Sequence, residues 1–179
     1  MASLIRVPID LRAPEQTGIA GNTFWSIQSG VASQFGYWGF LGNTSGGSGT
    51  GIKATGGIVY GFVQVPPNVD ANSVGKLIIA LGANATASAL STWRVGTREI
   101  QTGNTFDVTG FVHENAVNWT APTTAWARKD LSFTMTSATT ANAMLAVKIE
   151  RDSDGTSGTD NMTALAAVFD VYLEITATA

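Results

Sequence analysis

The chain has 179 residues, enough for one domain with a core of its own, so stability requires neither disulfides nor metals. It contains no cysteine, which excludes disulfide frameworks, zinc ribbons and thiol chemistry. Charged residues make up 13%, about half the usual ~25%, and the net charge of −3 gives nucleic-acid binding no electrostatic support.

The N-terminal stretch MASLIRVPIDLRAPEQ does not read as a secretory signal, because Arg6, Pro8, Asp10 and Arg12 break any apolar run. Synthesis in the cytoplasm is therefore expected. No stretch of the chain reaches the ~20 apolar residues of a membrane span, so no membrane partner is expected either.

Residues 1–56 hold short apolar pieces joined by glycine-rich connectors. LIRVPIDL reads as an extended segment in which Pro8 cannot occupy a central strand. NTFWSIQ and GYWGFLG are aromatic stretches, and GNTSGGSGTG has the composition of a flexible linker. The expected organisation is an extended N-terminal arm with a linker over 1–56 and a sandwich over 57–179.

From residue 57 the pattern changes. GIVYGFVQV, KLIIALGA, STWRVGTREI, TFDVTGFV, ARKDLSFTMT, AMLAVKIER and LAAVFDVYLEIT are strand-like runs rich in β-branched and aromatic residues, separated by turn-forming stretches. In LSFTMT, alternation puts Leu131, Phe133 and Met135 on one face. In VFDVYLEI it puts Phe169, Val171, Leu173 and Ile175 on one side, with Val168, Asp170, Tyr172 and Glu174 on the other. The aromatic stretch 35–41 is a candidate eighth strand. Seven or eight short antiparallel strands with no helical period predict an all-β fold, a two-sheet antiparallel sandwich of the jelly-roll type. An immunoglobulin-like sandwich is the second choice.

Four features invite a chemical reading. Asp152, Asp154 and Asp160 crowd a Gly/Ser/Thr-rich loop. Counted from Asp152, the fifth, sixth and twelfth positions of a calcium loop are Thr156, Ser157 and Thr163, so the EF-hand pattern fails and a hairpin turn is expected. His113 is the only histidine, and Val117 stands where a zinc-protease helix needs a second one. Ile52 separates Gly51 from Lys53, which breaks the phosphate-loop pattern. Four N-x-S/T triplets, at Asn43, Asn84, Asn118 and Asn161, carry no weight without a signal peptide. No catalytic residue, cofactor or metal is expected.

The aromatic residues of the first 40 positions are the more informative set. Phe24, Trp25, Tyr37, Trp38 and Phe40, with Ile5, Val7 and Ile9, are the candidate interaction residues. They read in three ways: a sugar-stacking platform, anchors between subunits, or packing on their own domain. Trp93, Trp119 and Trp126 are expected in the sandwich core or at its rim.

FVQVPPNVD, KLIIALGANATASALSTWRVGTREI, TTAWARKDLSFTM and the closing LAVKIERDSDGTSGTDNMTALAAVFDVYLEI together resemble the jelly-roll virion proteins of tailed bacteriophages. That family includes head decoration (cement) proteins and neck, tail or fibre modules. The resemblance covers about two-thirds of the chain. It implies a structural protein without an active site, on the outer surface of the head. The implied partners are the major capsid protein and further copies of the chain, as a homotrimer, with the arm clamping a neighbour. A receptor- or glycan-binding module of a tail, neck or fibre is the alternative.

Overall fold

The computed structural model describes residues 3–14, 23–27, 36–40, 58–70, 73–84, 89–101, 103, 110–151, 160–162 and 164–178. Twelve strands are found among them: β1 (Ser3–Pro8), β2 (Asp10–Pro14), β3 (Thr23–Ile27), β4 (Gly36–Phe40), β5 (Ile58–Gln64), β6 (Val74–Ala83), β7 (Leu90–Ile100), β8 (Val112–His113), β9 (Val117–Thr120), β10 (Lys129–Ala138), β11 (Met144–Arg151) and β12 (Ala166–Ala177). No helix among the described residues is long and apolar enough to cross a membrane.

The strands form two antiparallel sheets. Sheet A runs β10-β6-β12-β4-β3, with β1 also on β12; sheet B runs β2-β5-β11-β7-β8, with β9 also on β7. Taking β4, β5, β6, β7, β9, β10, β11 and β12 as strands one to eight, sheet A reads one, eight, three, six. Sheet B reads two, seven, four, five. That interleaving is the jelly roll: every connection from strand one to strand eight crosses between the sheets except the one from four to five, so six connections tie the two layers together.

Alternation sorts the side chains. Leu77, Ile79 and Leu81 of β6 and Val171, Leu173 and Ile175 of β12 meet Val59, Val63, Trp93, Val95, Leu145, Val147 and Ile149 of sheet B in one buried core. Leu131, Phe133 and Met135 join it from β10, as their spacing predicts. Each such side chain contributes about 1.5–3 kcal/mol by leaving water. The polar tips of the two largest residues are satisfied. Trp93 Nε1 donates to Ser91 Oγ at 2.7 Å and Trp119 Nε1 to the Lys129 carbonyl at 3.1 Å.

The structure departs from the predicted faces of the last strand at one place. Val168 is opposite Leu81 and Asp170 opposite Ala80, so Phe169 is an extra residue in the β12 ladder. This bulge exchanges the sides of Val168 and Phe169. Val168 joins the core, while the Phe169 ring lies on the outer side over Gly82. A Cβ on Gly82 would stand 2.5 Å from that ring, so the missing side chain makes room for it.

Residues 3–14 are strands of the sandwich, where an extended arm was expected, and 36–40 form the strand for which the aromatic stretch 35–41 was a candidate. β1 pairs along β12 from Ser3↔Ala177 to Pro8↔Tyr172, and β2 pairs with β5. The chain changes sheets at Ile9, which is 5% exposed and whose amide donates to the Val171 carbonyl at 2.8 Å. β4 pairs with β12 and carries Trp38 and Phe40 into the core, where Phe40 meets Trp93 edge-to-face at 5.0 Å. The physical reason is that Ile9, Trp38 and Phe40 are large and apolar, and the space between the sheets is where they lose contact with water. Pro8 obeys its restriction, since it ends a strand that has β12 on one side only. The glycine-rich stretch 42–51 lies outside the described residues.

The aspartate-rich loop also differs from the expected simple turn. Asp152 and Asp154 lie outside the described residues. The Asp160 carboxylate is wholly buried and forms a two-pronged pair with Arg151, Nε to Oδ2 and Nη2 to Oδ1, both at 2.9 Å. Arg151 Nη1 donates to the carbonyls of Phe40 and Ala164, and Nη2 also donates to Met162. All five guanidinium N–H groups thus have an acceptor. The pair joins β11, β4 and the segment leading into β12 at one point.

Candidate functional site

The outer face of sheet B is built from alternate residues of its strands, and strand register sets their order. Gln64, Met144 and Ile100 lie side by side on β5, β11 and β7. The next row is Asp10, Phe62, Ala146 and Arg98, and the next is Tyr60, Lys148, Gly96 and His113. Ile58, Glu150 and Arg94 close the series. Rows two residues apart are separated by about 6.8 Å, so the face extends about 20 Å along the strands.

Three local features shape it. Tyr60 and Phe111 place their rings 5.8 Å apart at 42° on this face, both half-buried. Gly96 allows that approach, because a Cβ there would stand 3.1 Å from the His113 ring and from Phe111 Cβ. Beside the rings, Arg94 Nη2 and Lys148 Nζ converge on the same Glu150 oxygen, Oε2, at 3.1 and 3.3 Å. Arg94 Nε is buried without a hydrogen-bond partner.

His113 is exposed at the edge of this group. Partial burial holds its pKa below the ordinary value of 6.5, and the positive charges of Arg94 and Lys148 push the same way against Glu150. The imidazole is neutral at pH 7 and offers one donor and one acceptor. At the far end, Gln64, Ile100 and Met144 form the floor of an open groove of about 470 Å³, walled by Thr140–Ala143 and Gln101.

The arrangement combines flat aromatic surface with fixed donors and acceptors, which suits a ligand with apolar faces and many hydroxyl groups. It does not suit acid–base chemistry, because Glu150 is held between two cations. Among the described residues no group of three or more His, Asp or Glu is arranged to hold a metal.

The candidate interaction residues fall elsewhere. Ile9, Trp38 and Phe40 belong to the core, and Ile5 and Val7 are partly buried against it. Phe24 and Trp25 lie on β3 and Tyr37 on β4, with their side chains outside the described residues. Own-domain packing is therefore the reading that fits Ile9, Trp38 and Phe40. Sequence reasoning passed over Tyr60, Phe62, Phe111, Arg94 and Lys148. The available signal was the alternation in GIVYGFVQV, which sets Tyr60, Phe62 and Gln64 on one face.

No protein-family profile matches the sequence, and no curated protein does. Solved structures similar to the chain include the CBM22-1–GH10 modules of endo-1,4-beta-D-xylanase 10B from Clostridium thermocellum, complexed with xylohexaose. The identity is 10% and the TM-score 0.48, over 88% of this chain and 25% of that one. The CBM22-1 xylan-binding domain of a Paenibacillus barcinonensis protein is similar at 11% identity and TM-score 0.43, over 95% and 97%. The enzymatically active domain of tailspike protein 4 from bacteriophage CBA120 is similar at 7% identity and TM-score 0.41, over 96% and 19%. This chain thus spans a quarter or less of the first and third of these. At such identities the likeness assigns no ligand to it.

Proposed function

We propose that the chain is a saccharide-binding jelly-roll module whose contact surface is the outer face of sheet B. Within the virion family that the sequence resembles, this is the role of a tail, neck or fibre component. One observation carries the reading: the Tyr60–Phe111 ring pair, half-buried, stands beside Lys148, Glu150, Arg94 and neutral, exposed His113 on the side of sheet B away from the core. An aromatic ring packs on the C–H face of a pyranose, and the flanking polar groups orient its hydroxyls. The role is binding without bond cleavage.

The test is titration of the purified protein against a panel of soluble oligosaccharides, with Tyr60→Ala beside the native chain. Saturable binding that Tyr60→Ala reduces at least about tenfold supports the proposal, a loss within the scale of an aromatic contact. Binding that Tyr60→Ala leaves unchanged rejects this face as the site.

A second reading, capsid decoration, has one feature in its favour. Leu4 is 63% and Val74 45% exposed, and both lie on sheet A close to Thr176. A small apolar patch of this kind suits contact with another subunit. On this reading the partners are the major capsid protein and two further copies of the chain, on the outer head surface of the virion. Saturable co-sedimentation with stripped shells, lost in Leu4→Asp, is the expected result.

A further inference from the structure

We infer that the free edge of β1 is a self-association surface, on which a second copy of the chain docks by pairing its own β1 antiparallel across a two-fold axis. The inference is independent of the saccharide-binding reading, whose surface is on sheet B. β12 is the only described strand that pairs with β1, so the other edge of β1 carries no strand among the described residues. The register shows which groups that edge presents. The Ile9 amide donates to the Val171 carbonyl at 2.8 Å, and the same register gives Val7↔Leu173 and Ile5↔Ile175. In an antiparallel ladder alternate residues exchange hydrogen bonds with a given neighbour. Ile5 and Val7 are therefore bonded to β12, and Leu4, Arg6 and Pro8 turn their main-chain groups outward. Pro8, which has no N–H, falls in the outward set, where the β12 ladder needs none. Among the described residues no backbone hydrogen bond outside the ladders involves Leu4 or Arg6.

The side chains leave this edge open. Arg6 is the only charged residue of β1, and a charge is what commonly guards an edge strand. Here its Nε donates to Glu174 at 3.0 Å and its guanidinium lies 5.0 Å from the centre of the Tyr172 ring, so it is drawn back over β12. Leu4 is exposed on the same face of the strand. With the two-fold axis at Ile5, Leu4 stands opposite Arg6 of the second copy, and the N–H of each meets the carbonyl of the other. The arginine stem then covers the Leu4 side chain. With the axis at Arg6 instead, the two arginines face each other and Leu4 meets Pro8, whose missing N–H leaves the Leu4 carbonyl unpaired. The edge is thus complementary to itself in donors, acceptors and charge when the axis passes through Ile5. Such a pairing uses the whole edge of both copies, so it closes at a dimer.

The test is analytical ultracentrifugation of the native chain from about 1 µM to about 1 mM, a range suited to an interface below the ~1,200 Å² of stable complexes. A monomer–dimer equilibrium is the expected result. Leu4→Pro removes an outward N–H and leaves the β12 ladder intact, as Pro8 does, so it should weaken dimerisation at least about tenfold with an unchanged circular dichroism spectrum. Ile5→Cys gives a second measurement, since the chain has no cysteine of its own. At the axis the two copies of residue 5 form a non-hydrogen-bonded pair with Cα atoms about 4.5 Å apart, within disulfide reach. Oxidation should link two Ile5→Cys chains and leave Val7→Cys chains unlinked. A trimer, a dimer that Leu4→Pro leaves unchanged, or linkage of Val7→Cys in place of Ile5→Cys overturns the inference. So does a monomer at every concentration, even one whose edge takes up an extended peptide of another sequence.

Discussion

Replacing Asp160 by asparagine keeps its shape and removes its charge, which isolates what the buried pair with Arg151 contributes. Arg151 and Asp160 side chains are both 0% exposed. The substitution leaves a buried guanidinium without a counter-ion and with at most one of its two former prongs. Three backbone carbonyls still accept from it, so the cation stays in place, uncompensated. Removing one partner of such a pair costs about 3–5 kcal/mol. For a chain of this size that lowers Tm by about 6–20 °C, and it consumes much of a typical 5–15 kcal/mol of stability. The internal control is Asp130→Asn. Arg128 and Asp130 also form a two-pronged pair, at 2.7 and 3.0 Å, but their side chains are 54% and 40% exposed. That change should cost no more than about 1 kcal/mol. Thermal and urea unfolding followed by circular dichroism would give both values. Losses that agree within about 1 kcal/mol would refute the argument that burial makes the Arg151–Asp160 pair decisive.

Three further outcomes are expected. Gly61→Ala should destabilise by about 1–3 kcal/mol, because its Cβ would stand 2.7 Å from Ile9 Cγ2 and 3.1 Å from the Asp10 carbonyl oxygen, forcing β2 off β5; an unchanged urea midpoint would show that β2 yields freely. His113 has a lowered pKa, so the folded chain binds fewer protons than the unfolded one just below pH 6.5. Its stability contribution is complete above that pH and is lost as pH falls toward the folded value; His113→Gln should flatten that part of the stability–pH curve, and an identical slope would count against the assignment. Asn142 has φ of 62°, so Asn142→Gly should be close to neutral in unfolding experiments and Asn142→Val should cost about 1–2 kcal/mol.

The strands of the sandwich were legible because their alternation is short-range information. Leu131, Phe133 and Met135 face inward as their spacing requires. The bulge at Phe169 was not legible, since a single inserted residue leaves the local pattern intact and changes only its phase. The packing partners of residues 3–14 and 36–40 were hidden for another reason. Ile9, Trp38 and Phe40 advertise a need for burial, but the partner that satisfies it is more than 50 residues away for Phe40 against Trp93. The outer face of sheet B suffered most. Tyr60, Lys148, Gly96 and His113 form one row only through the registers of β5, β11, β7 and β8, which no local pattern encodes. Asp160 drew attention as part of an acidic loop, whereas its role depends on an arginine at the end of the preceding strand.

The pairing of Ser3 with Ala177 has a mechanical consequence. Both ends of the described chain leave the sheet at the same corner, on adjacent strands running in opposite directions. Tension applied between them loads the β1–β12 ladder one residue pair at a time, as a zip, instead of shearing all its hydrogen bonds together. Pulled by both ends, the domain should release β1 at low force as far as Pro8. The next obstacle is Ile9, seated in the core and bonded to Val171. Held by one end only, as a module at the tip of a longer assembly would be, it never meets that load.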